Sequence, residues 1–178
     1  TYDGRAYLHA VDTRYDVILV DAYQDITIPF QMSSTEFFSL VRDHLNPGGV
    51  MVVNLNMYAD GEGSINQALC DTIASIFPKV YTVNVSGSTN RELFAALDGD
   101  PKVWLAEHRR TVVDEALSAH LEEVERRLTA YQGGGHILTD DQAPVELLGM
   151  RAIDGLIQAE LTYYKEKFKT EGISGLLG

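Results

Sequence analysis

The sequence has little of what marks several protein classes. It has one cysteine, Cys70, in 178 residues, so no internal disulfide can form, which favours a reducing compartment. The longest apolar runs, residues 17–20 and 50–53, are far shorter than the roughly 20 residues that a membrane span needs. The chain does not open on a basic and apolar leader, so we expect no secretory signal and a cytoplasmic location.

Positive charge is also scarce. Fourteen Lys and Arg stand against 26 Asp and Glu, for a net charge of −12. The negative electrostatic potential of such a chain repels phosphate backbones, so nucleic acid is not an expected partner, whereas a cationic ligand is compatible with the charge. Acidity that serves solubility alone is the more common explanation. The 45% hydrophobic and 22% charged composition is typical of a folded globular chain.

The first part of the chain alternates between strand and helix patterns. Residues 17–20 and 50–55 are continuous apolar runs, typical of strands buried on both faces of a parallel sheet. Ser33, with Glu36 three residues later, is a helix-capping pattern and predicts a helix to about residue 45. Residues 64–77 place apolar side chains on one helical face and predict a second helix.

Two further strands are predicted at residues 80–85 and 93–97. The segment between them is too short for a helical crossover, so they are expected to be antiparallel neighbours. The whole order predicts an α/β fold: a partial Rossmann-like sheet of the methyltransferase type that ends in an antiparallel hairpin.

The last third of the chain is predicted to be helical. Residues 114–132 form an amphipathic stripe. Residues 144–168 are apolar on more than one side, which is typical of a helix packed on two sides. One of these sides is a candidate subunit or domain interface. We therefore divide the chain into an α/β segment, residues 1–100, and a helical extension packed on it, residues 101–178.

Several common site motifs are absent from the sequence. The glycines of residues 61–63 and 133–135 lack the strand–turn–helix context of a dinucleotide-binding loop. The histidines show no metal-ligand spacing with one another or with Cys70, so no metal is expected. Asp21 is more informative, because it ends an apolar strand, and open α/β sheets bind ligands at the carboxyl ends of their strands. An aspartate that only caps the following loop is an equally good reading of this position.

Six segments together carry a resemblance to a known family. They read DGRAYL at residues 3–8, YDVILVDAY at 15–23, IPF at 28–30, STEFF at 34–38, LNPGGV at 45–50 and LTDDQAPVE at 138–146. This combination resembles the spermidine synthase (polyamine aminopropyltransferase) family, in its bacterial spermidine synthase-like variant, which is often fused to membrane segments. A membrane-tethered parent protein is therefore compatible with the cytoplasmic location expected above.

The resemblance implies a fold that binds decarboxylated S-adenosylmethionine, or S-adenosylmethionine itself, with a small cationic amine as the substrate. It implies that Asp3 contacts the adenine and that Asp21 is catalytic, helping to deprotonate the attacking amine. The implied cofactor-binding residues are Asp3, Gly4, Asp21, Ala22 and Pro29, and the implied substrate-binding residues are Tyr23, Gln24, Asp25 and Asn54.

General chemistry supports a carboxylate in that role. A primary amine with a pKa near ~10 is protonated at neutral pH and cannot attack carbon. An acidic side chain can bind the cation and then accept its proton as the new bond forms. The leaving group is a neutral thioether and needs no acid, so the rate depends chiefly on alignment of the reacting atoms.

The sequence departs from the family pattern around the amine site. The second acid, expected three residues after the first, is Gln24, although Asp25 could replace it if the loop carries a one-residue insertion. Asn54 stands where many members have glutamine, and Asn84 and Val85 precede the Ser-Gly pair where they have tyrosine. The diamine pocket is therefore not clearly retained.

In the family, the glycine-rich cofactor loop precedes the Asp-Gly motif with which this chain opens. We therefore expect the C-terminal part of a longer protein, inactive alone, with about half a cofactor site. The strand at residues 17–20 would lie at an exposed edge unless the missing N-terminal portion, or a second copy in a homo-oligomer, covers it. An S-adenosylmethionine-dependent methyltransferase and a non-catalytic binding domain that uses residues 144–168 remain alternatives.

Overall fold

The computed structural model describes residues 3–22, 28–56, 63–88 and 90–171. None of the helices in these ranges combines the length and apolar content needed to cross a membrane. The elements in chain order are α1 (Gly4–Ala10), β1 (Tyr15–Val20), α2 (Thr35–Asp43), β2 (Leu45–Asn56), α3 (Ile65–Ala74), β3 (Lys79–Asn84), β4 (Asn90–Ala96), α4 (Pro101–His108), α5 (Glu115–Arg127), β5 (Thr129–Ala130) and α6 (Val145–Glu171).

The strands form one mixed sheet in the order β1-β2-β4-β3-β5. β1 and β2 are parallel, whereas β4 lies between β2 and β3 and is antiparallel to both. The predicted antiparallel hairpin is therefore present, and its second strand returns into the sheet beside β2. This arrangement confirms the α/β fold class.

The core lies on the face of the sheet that α2 and α3 cover. Met51 and Val53 on β2 are fully buried, as are Phe37 and Phe38 of α2 and Leu69 of α3. The predicted helix over residues 144–168 is present as α6, and the predicted helix over 114–132 ends earlier, at Arg127. It ends there because the backbone becomes extended at Leu128 and continues as β5, which pairs with β3.

The expectation that β1 is buried on both faces is wrong for this chain. β1 is the outermost strand of the sheet, and its side chains Val17 and Leu19 are 58% and 65% exposed. Ile18 and Val20 point to the opposite face and pack on the core. The alternative expectation, an exposed apolar edge, is the one that the structure confirms.

The cap of α2 also differs from its predicted position. Ser34, rather than Ser33, is the N-cap, and its hydroxyl accepts a hydrogen bond from the Phe37 amide at 3.3 Å. Ser33 ends a short 3-10 turn and donates to the carbonyl of Phe30 at 2.7 Å. Because of this turn, α2 begins at Thr35, one residue later than a cap at Ser33 would place it.

The three consecutive glycines at residues 133–135 let the chain pass close to α3. A Cβ atom on Gly133 would lie 2.8 Å from the Cβ of Ala74, and one on Gly135 would lie 2.2 Å from Oδ2 of Asp71. Asp71 is buried, and its other carboxylate oxygen accepts a hydrogen bond from the hydroxyl of Tyr131 at 3.0 Å. Gly133 and Gly135 therefore allow close packing of this segment against α3.

We expect Gly135→Ala to destabilise the protein by about 1–3 kcal/mol, because its methyl group would overlap a buried carboxylate. Gly155→Ala is the matched control, since a Cβ there has no atom within 4 Å and alanine favours an exposed helix position. Chemical denaturation measures both. Equal effects of the two substitutions would contradict the close packing at Gly135.

Candidate functional site

Asp21 lies directly after β1, at the carboxyl end of the parallel pair. The β1–β2 register aligns Val20 with Val53, so that Asp21 and Asn54 follow side by side. The side-chain amide of Asn54 donates a hydrogen bond to Oδ1 of Asp21 at 3.1 Å. Two residues that the family resemblance implies are thus in direct contact, at the edge where open α/β sheets bind ligands.

Asp21 lines a cavity of about 510 Å³ that α1, β1 and α2 enclose in part. Gly4 and Ala22 also line it, so three of the predicted cofactor-site residues share one cavity. Its apolar lining includes Leu8 and Met32. The volume lies within the range of roughly 300–1,000 Å³ that small-molecule sites usually have.

The remaining predicted residues are placed differently. Asp3 is the N-cap of α1, where its Oδ1 accepts a hydrogen bond from the Ala6 amide at 3.0 Å, and this bond lowers the pKa of the carboxyl group. Neither Asp3 nor Pro29, which precedes the 3-10 turn, is among the residues that line the cavity. Tyr23, Gln24 and Asp25 lie outside the described residues.

Glu92 is a further acidic residue near this site, and no motif in the sequence singles it out. It lies on β4 directly opposite Asn54 in the antiparallel register. Burial raises the pKa of its carboxyl group, and the negative charge of Asp21 raises it further. Oδ1 of Asn54 is buried and has no hydrogen-bond partner within the described chain. Asp21 and Glu92 are therefore two electrostatically coupled carboxylates beside one amide.

We expect Glu92→Gln to make the protein more stable at neutral pH. Because the pKa of Glu92 is raised in the folded protein, ionisation of its carboxyl group lowers the free energy of unfolding as the pH rises. Glutamine does not ionise and avoids this loss. The advantage should vanish below about pH 4.3, where a glutamate in the unfolded chain is protonated as well. Thermal denaturation across pH measures it, and a variant that is less stable at neutral pH would contradict the coupling.

Asp140 fixes the position of α1 beside this cavity. Both of its carboxylate oxygens accept hydrogen bonds from the guanidinium of Arg5, at 2.8 and 2.5 Å. The Ser34 hydroxyl also donates to it, and its own amide donates to Glu36. The bonds from Arg5 lower the pKa of the Asp140 carboxyl group. Three of the segments that carry the family resemblance thus meet at one carboxylate.

We expect Asp140→Asn to lower the free energy of unfolding by about 1–2 kcal/mol. Hydrogen bonds to charged groups contribute roughly 1.5–3 kcal/mol, and partial exposure of the Arg5–Asp140 pair weakens them. Because the pKa of Asp140 is lowered, this contribution is present above about pH 3.9 and is lost as the pH falls. Asp141→Asn, at the adjacent exposed aspartate, is the control. Denaturation curves that coincide for the two variants would contradict the assignment.

Comparison with known proteins gives close relatives. The chain is 53% identical to a probable polyamine aminopropyl transferase of Bifidobacterium longum, an alignment that covers 99% of this chain and 44% of the relative. It is 33% identical to polyamine aminopropyltransferase 2 of Pseudomonas aeruginosa over 45% of this chain and 24% of that protein. No protein-family model matches the chain.

A solved structure with a related fold is human methyltransferase-like protein 13 in complex with SAH. It superposes with a TM-score of 0.50 at 22% identity and covers 75% of this chain and 60% of its own. This likeness supports the methyltransferase-type fold. The resemblance to polyamine aminopropyltransferases is confirmed by the sequence relatives, and the chain spans less than half the length of the curated relatives that it matches.

Proposed function

Since the chain is a homologue of polyamine aminopropyltransferases along 99% of its length, we propose that it forms part of an enzyme of that activity. The reaction would move the aminopropyl group of decarboxylated S-adenosylmethionine to a polyamine. The observation that carries the proposal is the position of Asp21, which lines a cavity of suitable size while Asn54 orients its carboxylate.

The cavity fits part of a nucleoside cofactor. Its lining is largely apolar but includes the exposed edge of β1, so polypeptide that pairs with this edge would fill part of the cavity and leave the end at Asp21 and Ala22 for the cofactor. Gly4 and Ala22 would contact the cofactor where they line the cavity. When bound, the cofactor supplies a carbon that its bond to a sulfonium makes electrophilic. About half of the site would come from this chain, so we assign activity to the longer protein and expect the chain alone to be inactive.

Asp21 would act on the amine. Asn54 donates to Oδ1, and no hydrogen bond from the described residues reaches Oδ2, which leaves that oxygen for the substrate. Ionised Asp21 would bind the ammonium group and then accept its proton, which frees the nitrogen lone pair to attack. Asn54 would fix the direction of the carboxylate in this step.

Glu92 would provide a second negative charge for the polyamine. Family members carry a second acid three residues after the first, where this chain has Gln24, and Glu92 on β4 comes within electrostatic reach of Asp21. A polyamine carries more than one ammonium group, so two coupled carboxylates match its charge. Burial is the larger cause of the raised pKa of Glu92, and a bound polyamine would offset the repulsion from Asp21 that adds to it.

In the longer protein we expect Asp21→Asn to lower kcat by roughly 10²–10⁴-fold, the usual contribution of a general base. Asp16→Asn is the matched control, because Asp16 lies on the same strand, receives a hydrogen bond from Asn46 and is not among the residues that line the cavity. Steady-state kinetics measures both variants. Near-normal turnover by Asp21→Asn would refute the role of Asp21.

The form of the cofactor that the longer protein binds distinguishes aminopropyl transfer from methyl transfer and from a non-catalytic role. Isothermal titration calorimetry on the longer protein is expected to show tighter binding of decarboxylated S-adenosylmethionine than of the carboxylated form. Preference for the carboxylated form would replace the proposal with methyl transfer, and binding of neither would favour a non-catalytic domain.

A further inference from the structure

A second cavity lies near the edge of the sheet farthest from β1, where β3, β4, α5 and β5 meet. Its volume is about 420 Å³, which lies within the usual range of small-molecule sites. The described residues that line it are Thr82, Asn84, Arg91, Arg126, Arg127 and Thr129. All six are polar and none is acidic, and none of them lines the cavity beside Asp21.

The register of the sheet brings four of these side chains to one face. Pairing of β3 with β5 sets Thr82 opposite Thr129, and pairing of β3 with β4 sets Asn84 opposite Arg91. Residues paired across a ladder share a face of the sheet, as do alternate residues of one strand. α5 ends at Arg127, just before β5, and contributes two further arginines to the cavity. Guanidinium groups from two distant parts of the sequence therefore meet here.

The chain itself holds two of these arginines in place. Nη2 of Arg127 donates a hydrogen bond to the carbonyl oxygen of Asn84 at 2.7 Å, and Nη1 donates to the hydroxyl of Ser86. Nε of Arg91 donates to Oδ1 of Asn84 at 2.7 Å. A guanidinium has more N–H groups than these bonds of Arg127 use, so Arg127 retains donors for a ligand. Side chains that are already ordered lose less conformational entropy on binding.

Arg126 has a more exposed partner. Its Nη2 lies 2.5 Å from Oε2 of Glu123, but the two side chains are 73% and 43% exposed. Exposed ion pairs contribute little net stability, because water solvates both charges well. Glu123 is not among the residues that line the cavity. An anion in the cavity would therefore compete effectively with Glu123 for Arg126.

We propose that this cavity binds the phosphate group of a small phosphorylated molecule. Guanidinium groups bind phosphate through paired N–H···O hydrogen bonds, and a phosphate monoester offers three terminal oxygens to the three arginines. A carboxylate has fewer oxygens to share among them. The hydroxyl groups of Thr82 and Thr129 would supply further donors. The proposal is independent of the proposed catalytic function.

The charge of the whole chain favours a small ligand over a macromolecule. Three of the 14 Lys and Arg residues line this cavity, in a chain whose net charge is −12. That charge repels an extended anionic surface, whereas a small anion experiences mainly the local potential of the cavity. A soluble phosphate ester is therefore a better candidate than a nucleic acid or an anionic membrane.

Isothermal titration calorimetry of the longer protein with inorganic pyrophosphate tests the site. We expect saturable binding, and Arg127→Gln should raise the Kd about tenfold or more, because hydrogen bonds from a charged group are lost. Arg110→Gln is the matched control, since it makes the same change in charge at an exposed arginine outside the cavity and should leave the Kd unchanged. No binding at millimolar pyrophosphate, or equal effects of the two variants, would overturn the proposal.

Arg126→Gln gives a second test that leaves the hydrogen bonds of Arg127 to Asn84 and Ser86 intact. Because Arg126 is exposed and its ion pair with Glu123 is weak, this variant should fold normally, as circular dichroism would show. We expect it to raise the Kd for pyrophosphate several-fold. A Kd equal to that of the unaltered protein would contradict a site built from three arginines.

Titration with glucose 6-phosphate and with acetate tests the identity of the anion. Glucose 6-phosphate, a phosphate monoester, should bind at least about tenfold more tightly than acetate, because it accepts more charge-assisted hydrogen bonds. Arg127→Gln should reduce this difference. Equal binding of the two anions would indicate a general site for negative charge and would overturn the assignment to phosphate.

Discussion

The carboxylate of Asp140 joins parts of the chain that are far apart in sequence. It receives two hydrogen bonds from Arg5 at the start of the chain and one from Ser34 at the cap of α2. Bidentate pairing of this kind is directional as well as strong, so it fixes the orientation of α1 in addition to its distance. Gly4, the neighbour of Arg5, lines the candidate cavity. The shape of that cavity therefore depends on a residue from the helical third of the chain.

The register of the sheet imposes the second constraint on the site. Parallel pairing of β1 with β2 brings Asp21 to Asn54, and antiparallel pairing of β2 with β4 brings Asn54 to Glu92. A slip of one residue in either ladder would turn the side chains to the opposite face. The grouping of Asp21, Asn54 and Glu92 thus depends on the buried residues that set the register, such as Met51 and Val53.

Features that depend on neighbours in sequence were predictable. Apolar runs located β1 and β2, helical periodicity located α3, and the end of an apolar run singled out Asp21. Glu92 was missed because its relevance appears only when the register of β4 is known. The error at Ser33 has a similar origin, since the 3-10 turn that displaces the cap to Ser34 depends on the path of the preceding loop. β5 has only two residues and exists through its pairing with β3.

β1 shows how a sequence pattern can describe contacts that a chain does not make by itself. Its run of apolar residues suits burial on both faces, yet Val17 and Leu19 are exposed while Ile18 and Val20 are covered. An exposed apolar edge strand favours pairing with further polypeptide. The chain spans less than half the length of its curated relatives, and Asp21 lies at the tip of this strand. The contacts that complete the edge would also complete the surroundings of Asp21, which is why the proposed activity is assigned to the longer protein.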